Sequence, residues 1–363
     1  MTAATHMVDA EARYRRAGWF TRLRLHPAGP VALLFLLLLA GCIVASLIFP
    51  DDFLFLSQRN ATLLMRAIPT FGVVALGVGL LMIAGEFDLS VGSVFVAAPF
   101  AMASFYDASA PVIAGWGWFA EGEGAWLTAN GVAWAISLIV ALLVATAIGL
   151  LNAFITLYFR IPSFITTLGM LFIVRTAAPY IVNLYGGRTS LTIKVPEDFK
   201  AATWDNLFGF LPASFLWFLV FAAIAYLLLN RHFLGNHFFA AGGDTKAAQF
   251  AGINVVRTKT IAFVLSSVFA TISGIFSITR LGKAETNPQL FIELYAVAIC
   301  VVSGLSLFGG RGSVIGIVFG SAVYYLLGNI ATHAQLPTYY LDAFAGMMIV
   351  FGVIINQLFR RRF

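Results

Sequence analysis

Apolar residues come in long blocks, broken by short polar stretches that carry most of the charge. The blocks 31–49, 67–84, 89–106, 131–158, 161–182, 213–229, 260–278, 291–307, 314–330 and 339–358 approach the roughly 20 residues that take a helix across a bilayer. They predict an all-α membrane protein of about ten transmembrane helices in one transmembrane domain, 31–363, after a basic tail, 1–30. The blocks 89–106 and 291–307 are short or polar-tipped, and the pattern allows either to be a broken or re-entrant segment. The first block ends in Phe49-Pro50-Asp51-Asp52, without a small-x-small cleavage site, and reads as a retained helix rather than a leader.

Lys and Arg set the orientation. With N- and C-termini cytoplasmic, the inner ends and loops hold roughly twice as many basic residues as the outer ones, as membrane insertion requires. On that count the loop 231–259 is the longest cytoplasmic segment. Thr245 to Gly252 has apolar spacing ending at glycine, which predicts a short helix with a glycine stop. The segments 186–206 and 280–293 fall outside.

Composition supports this reading. Apolar residues make up 60% of the 363 and charged residues 10%, with mean hydropathy +0.91. A water-soluble surface needs nearer a quarter charged. The net charge of +6 follows from the basic inner face and implies no nucleic-acid partner. Cys42 and Cys300 sit in apolar blocks as small core residues. His232 and His237 are not at the i, i+4 spacing of a helical metal site. No phosphate-binding, zinc-protease or nucleophile-elbow motif occurs. The chain is therefore read as binding no cofactor or metal and as no enzyme.

Ionisable groups inside the apolar blocks are the candidate chemistry, because each needs a partner or water. Glu86 and Asp88 interrupt what would otherwise be one apolar stretch. They read either as a pair on a solute path or, with Ser90, as a cap for the third span. Arg175 lies within a span, with Glu86, Asp88 and Glu293 as candidate partners, and an Asp88–Arg175 pair is the favoured expectation. Phe87 to Val94 and Phe308 to Val314 share a turn, Gly-Ser-Val and a following small-residue helix, which hints at internal duplication.

Four segments then resemble the ribose-type permease subunits of bacterial ATP-binding-cassette importers, within the branched-chain amino acid/ribose permease superfamily. Gly85-Glu86-Phe87-Asp88-Leu89-Ser90-Val91-Gly92-Ser93 is similar to the family's Gly-Gly-Ile-Asp-Leu-Ser-Val-Gly-Ser. Ile161 to Met170, with Thr167, matches Pro-x-Phe-Ile-x-Thr-Leu-Gly. Ala241 to Asn254 resembles the cytoplasmic Gly-Gly-Asn-x-x-Ala-Ala-x-x-Ser-Gly-Ile. Gly304 to Ser313 matches Gly-Thr-Ser-Leu-Phe-Gly-Gly-x-Gly-Ser. The departures are Glu86-Phe87 for Gly-Ile, Asp244 for Asn, Ala251 for Ser, Thr176 for glycine, and a longer outer stretch at 194–205.

The resemblance implies import of a sugar or related polyol across the bacterial inner membrane. The implied partners are a second permease, two ATP-binding domains that hold ATP and Mg, and a periplasmic solute-binding protein. It places Glu86, Asp88, Ser90, Ser93, Thr167, Arg175 and Glu293 on or near the path. It places Gly243, Asp244, Ala247, Ala248, Gly252, Ile253 and Asn254 in the coupling segment, whose apolar surface also includes Phe250 and Ala251. The two outer segments would receive the binding protein. A secondary, ion-coupled transporter is the alternative, with the same carboxylates as coupling groups.

Overall fold

The computed structural model describes residues 28–51, 53–116, 128–184, 190–193, 195–286, 291–337 and 339–360. The basic tail, and Asn287 and Pro288 of the outer segment, lie outside them. The helices are α1 (Gly29–Ile48), α2 (Gln58–Ile83), α3 (Val91–Ala114), α4 (Ala129–Phe159), α5 (Ser163–Arg175), α6 (Ala177–Leu184), α7 (Glu197–Trp204), α8 (Ala213–Asn230), α9 (Phe233–Gly243), α10 (Thr245–Phe250), α11 (Val255–Leu281), α12 (Ile292–Val302), α13 (Val314–His333) and α14 (Tyr339–Arg360). Four short strands, β1 (Ser190–Thr192), β2 (Asn206–Leu207), β3 (Leu211–Pro212) and β4 (Lys283–Glu285), lie between them.

Among the described residues, eight helical stretches are long and apolar enough to cross a membrane, one of them, Ser163–Ile181, joining α5 to the start of α6. The all-α membrane architecture follows. Where the short spans fall differs from the pattern. The block at 89–106 is a full helix of 24 residues, α3, about 36 Å long. The block at 291–307 is the 11-residue α12, about 16 Å long, short as the pattern allowed. A further break falls in 161–182. There the Thr176 hydroxyl donates to Ile173 O at 2.6 Å and α5 stops.

α2 and α11 form the centre. From Phe71 to Ile83 every residue of α2 is buried, so this half of the helix has no lipid-facing side. Its glycines admit neighbours on different sides: a Cβ on Gly77 would meet the Phe269 Cβ of α11 at 2.7 Å, and one on Gly79 the Ile317 side chain of α13 at 2.4 Å. Ser57 accepts from Asn60 N to start α2. Asn254 accepts from Arg257 N to start α11, and Gly282, at φ 63°, ends it. α4 shows the opposite pattern. Leu143, Leu150, Leu151 and Phe154 are exposed on its outer side, as a lipid-facing helix requires.

The bundle has two unlike ends. At one, the α2–α3 turn, the end of α9 and the α12–α13 turn come together. At the other, β1 pairs antiparallel with β4, Leu191 opposite Ala284, and Ile193 N donates to Gly282 O at 3.0 Å. The segments 186–206 and 280–293, read from sequence as two separate outer loops, are thus joined by a ribbon. β2 and β3 form a small hairpin beside it.

Candidate functional site

The motif 85–93 packs against α5, and hydroxyls make the joins. Phe87 N donates to Ser163 Oγ, and Leu89 N to Thr167 Oγ1, each at 3.0 Å. Ser93 Oγ donates to Leu171 O at 2.6 Å. Thr167 also donates to Ser163 O. Ser93 and Thr167 therefore fix the register of α5 on α3.

Asp88 is 1% exposed. Its Oδ1 accepts from Ser90 N at 2.8 Å and from Ser90 Oγ at 2.6 Å, and Asn152 of α4 donates to the same Ser90 hydroxyl at 2.8 Å. Ser90, the residue ahead of the first turn of α3, makes no side-chain cap bond, and Asp88 holds the Ser90 N–H just before the helix begins. Asp88 Oδ2, Asn152 Oδ1 and Ser266 Oγ have no hydrogen-bond partner among the described residues.

The expected Asp88–Arg175 pair is not formed. Thr167 stands beside Leu89, and Arg175 lies eight residues further along α5, about 12 Å away. Arg175 instead lines a cavity of about 20 Å³ with Gly92, Ser93, Thr286, Phe291 and Glu293, room for about one water. Its charge acts on Glu293. The Glu293 carboxylate rests on Gly92, where a Cβ would lie 2.0 Å from Oε2. So α3, α5 and the first turn of α12 bring one cation and one anion to a shared polar gap.

Glu86 has a different partner. Lys259 Nζ of α11 donates to Glu86 Oε1 at 2.6 Å, with the two side chains only 11% and 13% exposed. The pair ties the α2–α3 turn to α11. Sequence reasoning missed it, although the basic-residue count had put Lys259 at the same membrane face as Glu86. Lys259→Met should destabilise the chain by roughly 3 kcal/mol, because it strands a nearly buried carboxylate. Adding Glu86→Gln should recover most of that. Melting of the purified variants in detergent checks both, and a Lys259→Met midpoint equal to wild type would contradict the prediction.

The segment after α8 is a projecting elbow. Asp244 caps α10 by accepting from Lys246 N and Ala247 N at 2.9 and 3.0 Å. Gly252, at φ 82°, makes the expected stop. Ala247, Ala251 and Gly252 are exposed and Ile253 is half-buried. Ala248 is 3% exposed and packs with Ala241 and Val255, so it does not belong to the expected apolar surface. The protruding apolar group is Phe250, 92% exposed.

The elbow is rooted among glycines. Gly310 N donates to Ile83 O at 2.9 Å. A Cβ on Gly309 would lie 2.7 Å from Gly85 Cα and 2.8 Å from Gly242 O. The two turns that share Gly-Ser-Val in sequence therefore meet backbone to backbone, with the end of α9 against both. Gly243 is looser, its nearest neighbour 3.8 Å from a built Cβ.

The sequence profile of a family described as "Branched-chain amino acid transport system / permease component" matches residues 60–353. The chain is 28% identical over 308 residues to the "Probable ABC transporter permease protein YphD" of Escherichia coli (strain K12), covering 85% of this chain and 84% of that one. It is 28% identical over 301 residues to the "Autoinducer 2 import system permease protein LsrC" of Yersinia pseudotuberculosis serotype O:3 (strain YPIII), covering 83% and 78%. No solved structure matches.

Proposed function

The chain belongs to the branched-chain amino acid transport system / permease component family, and from that premise we propose that it is the membrane-spanning permease of an ATP-binding-cassette importer for a sugar or related polyol. It works with a second permease, two ATP-binding domains and a periplasmic solute-binding protein, in the bacterial inner membrane. ATP and Mg belong to the ATP-binding domains. The cargo class rests on the four ribose-type motifs, and the importer class on the similarity to the permease relatives.

The observation that carries the reading is the α9–α10 elbow. It presents one fully exposed aromatic ring on a base fixed by backbone contacts to the α2–α3 and α12–α13 turns. A force on α10 reaches the starts of α3 and α13 without passing through a flexible joint. The basic residues Arg231, Lys246, Arg257 and Arg311 near this end support its placement in the cytoplasm, where ATP is. At the start of α3 the movement meets the polar gap between Arg175 and Glu293, which supports that face as the solute path.

The test is uptake of labelled monosaccharides into proteoliposomes holding the permeases and ATP-binding subunits, with the binding protein added outside. Uptake should require ATP and survive ionophores. Uptake without ATP that collapses with an ion gradient would make the chain a secondary transporter. In the same assay Arg175→Gln and Glu293→Gln should each lower import about tenfold, the effect of ~1.4 kcal/mol, while ATP-binding subunits stay bound. The double variant should be little worse than either single one. Additive losses would mean the two charges act separately.

A further inference from the structure

At the ribbon end of the bundle, α7 stands off the ends of α3 and α11 and leaves a cleft of about 560 Å³, within the roughly 300–1,000 Å³ of small-ligand sites. Among the described residues, two cations, Lys200 and Arg280, line it together with one carboxylate, Glu197. Tyr106, Asn130 and Thr279 add a phenol, an amide and a hydroxyl, and the exposed Leu281 gives an apolar edge. None of these groups belongs to the polar gap or the elbow.

The depth of the cleft can be read from the aromatic residues. All four tryptophans among the described residues lie at this end: Trp116 after α3, Trp134 at the start of α4, Trp204 ending α7 and Trp217 at the start of α8. Trp217 Nε1 donates to Ala202 O at 2.8 Å, and Arg66 lies 4.7 Å from the centre of the Trp204 ring. Tyr106 and Trp134 meet edge to face below the cleft, their centroids 5.0 Å apart. Tryptophan and tyrosine gather where a bilayer's hydrocarbon meets its headgroups, so this belt puts the cleft at headgroup level.

We infer that the cleft binds the headgroup of an aminophospholipid, with its phosphate held by Lys200 and Arg280 and its ammonium by Glu197. The charges select that chemistry. A simple anion would face Glu197, and a simple amine would face two cations. A zwitterion with phosphate and ammonium a few bonds apart meets all three. The phenol and amide suit the remaining phosphate oxygens, and Leu281 suits the start of an acyl chain.

The experiment is native mass spectrometry of the full chain in mild detergent, titrated with phosphatidylethanolamine, phosphatidylglycerol or phosphatidylcholine. Phosphatidylethanolamine should be retained in preference to the other two. The double variant Lys200→Gln/Arg280→Gln should lower that retention at least about fivefold, since interfacial cations contribute about 1 kcal/mol each. Both side chains are exposed, so an unchanged melting midpoint is expected, and Lys200→Gln alone serves as a milder second variant with a smaller loss. Glu197→Gln should remove the preference over phosphatidylglycerol. Equal retention of the three lipids by the wild-type chain, or undiminished retention by the double variant, would overturn the assignment. Glycerophosphoethanolamine without acyl chains, if it binds as tightly as the lipid, would overturn the membrane as the source.

Discussion

Gly242→Ala should leave little folded protein. A Cβ there would stand 2.0 Å from Ile83 O, 2.8 Å from Gly310 N and 2.9 Å from Ala84 C. All three are backbone atoms, so no side chain can rotate away to make room. Relief requires moving the end of α9 off both the α2–α3 and the α12–α13 turns. Overpacking of this kind costs about 3 kcal/mol, and more where the backbone must shift. Gly243→Ala is the control, because its nearest neighbour leaves ordinary contact distance. Size-exclusion yield and melting midpoint should separate the two variants sharply. A Gly242→Ala chain that melts like wild type would show that the elbow is loosely seated and cannot transmit force as described.

Phe250→Ala should fold normally and lose its ATP-binding subunits. The ring is 92% exposed, so its removal costs the isolated permease almost nothing. If a partner buries it, the loss is about 2–3 kcal/mol, which is roughly a 30- to 150-fold weaker association. Co-purification should fall and ATP-driven import with it, while the melting midpoint stays put. Ala248→Arg is a poorer probe than the sequence suggested, because that alanine faces Ala241 and Val255 and its replacement damages the elbow itself. Undiminished co-purification of Phe250→Ala would remove α10 from the interface.

The spans were legible in sequence because hydrocarbon forces an unbroken apolar run on every crossing helix. α1, α4, α8, α11 and α13 fall close to the expected blocks for that reason. Length within a block was less legible. α3 keeps its full length because Ser93 bonds to α5 inside the packed bundle, so a polar residue near its start does not shorten it. Partners were least legible. The sequence placed Asp88 ahead of the third span and Arg175 within the fifth. Which charge meets which depends on the register of α5 along α3, and that is set by Leu89–Thr167 and Ser93–Leu171 bonds that no local pattern announces. The inward turn of Ala248 escaped for a similar reason. In a six-residue helix two neighbouring alanines can face opposite ways, and periodicity over so short a stretch cannot separate them.

The ribbon between β1 and β4 has a consequence for biogenesis. Its strands flank α8 and α11, so Leu191 and Ala284 cannot meet until both of those helices have been threaded through the bilayer and the chain has returned to the same side. Ribosomal synthesis delivers β1 well before β4, and during that interval the Leu191–Ala284 register cannot form. Amide protection at Ile193, whose N–H is held by Gly282 O, is therefore a timestamp for completed insertion. A chain stalled before α11 crosses would have every earlier helix in place and that one amide still exchanging with water.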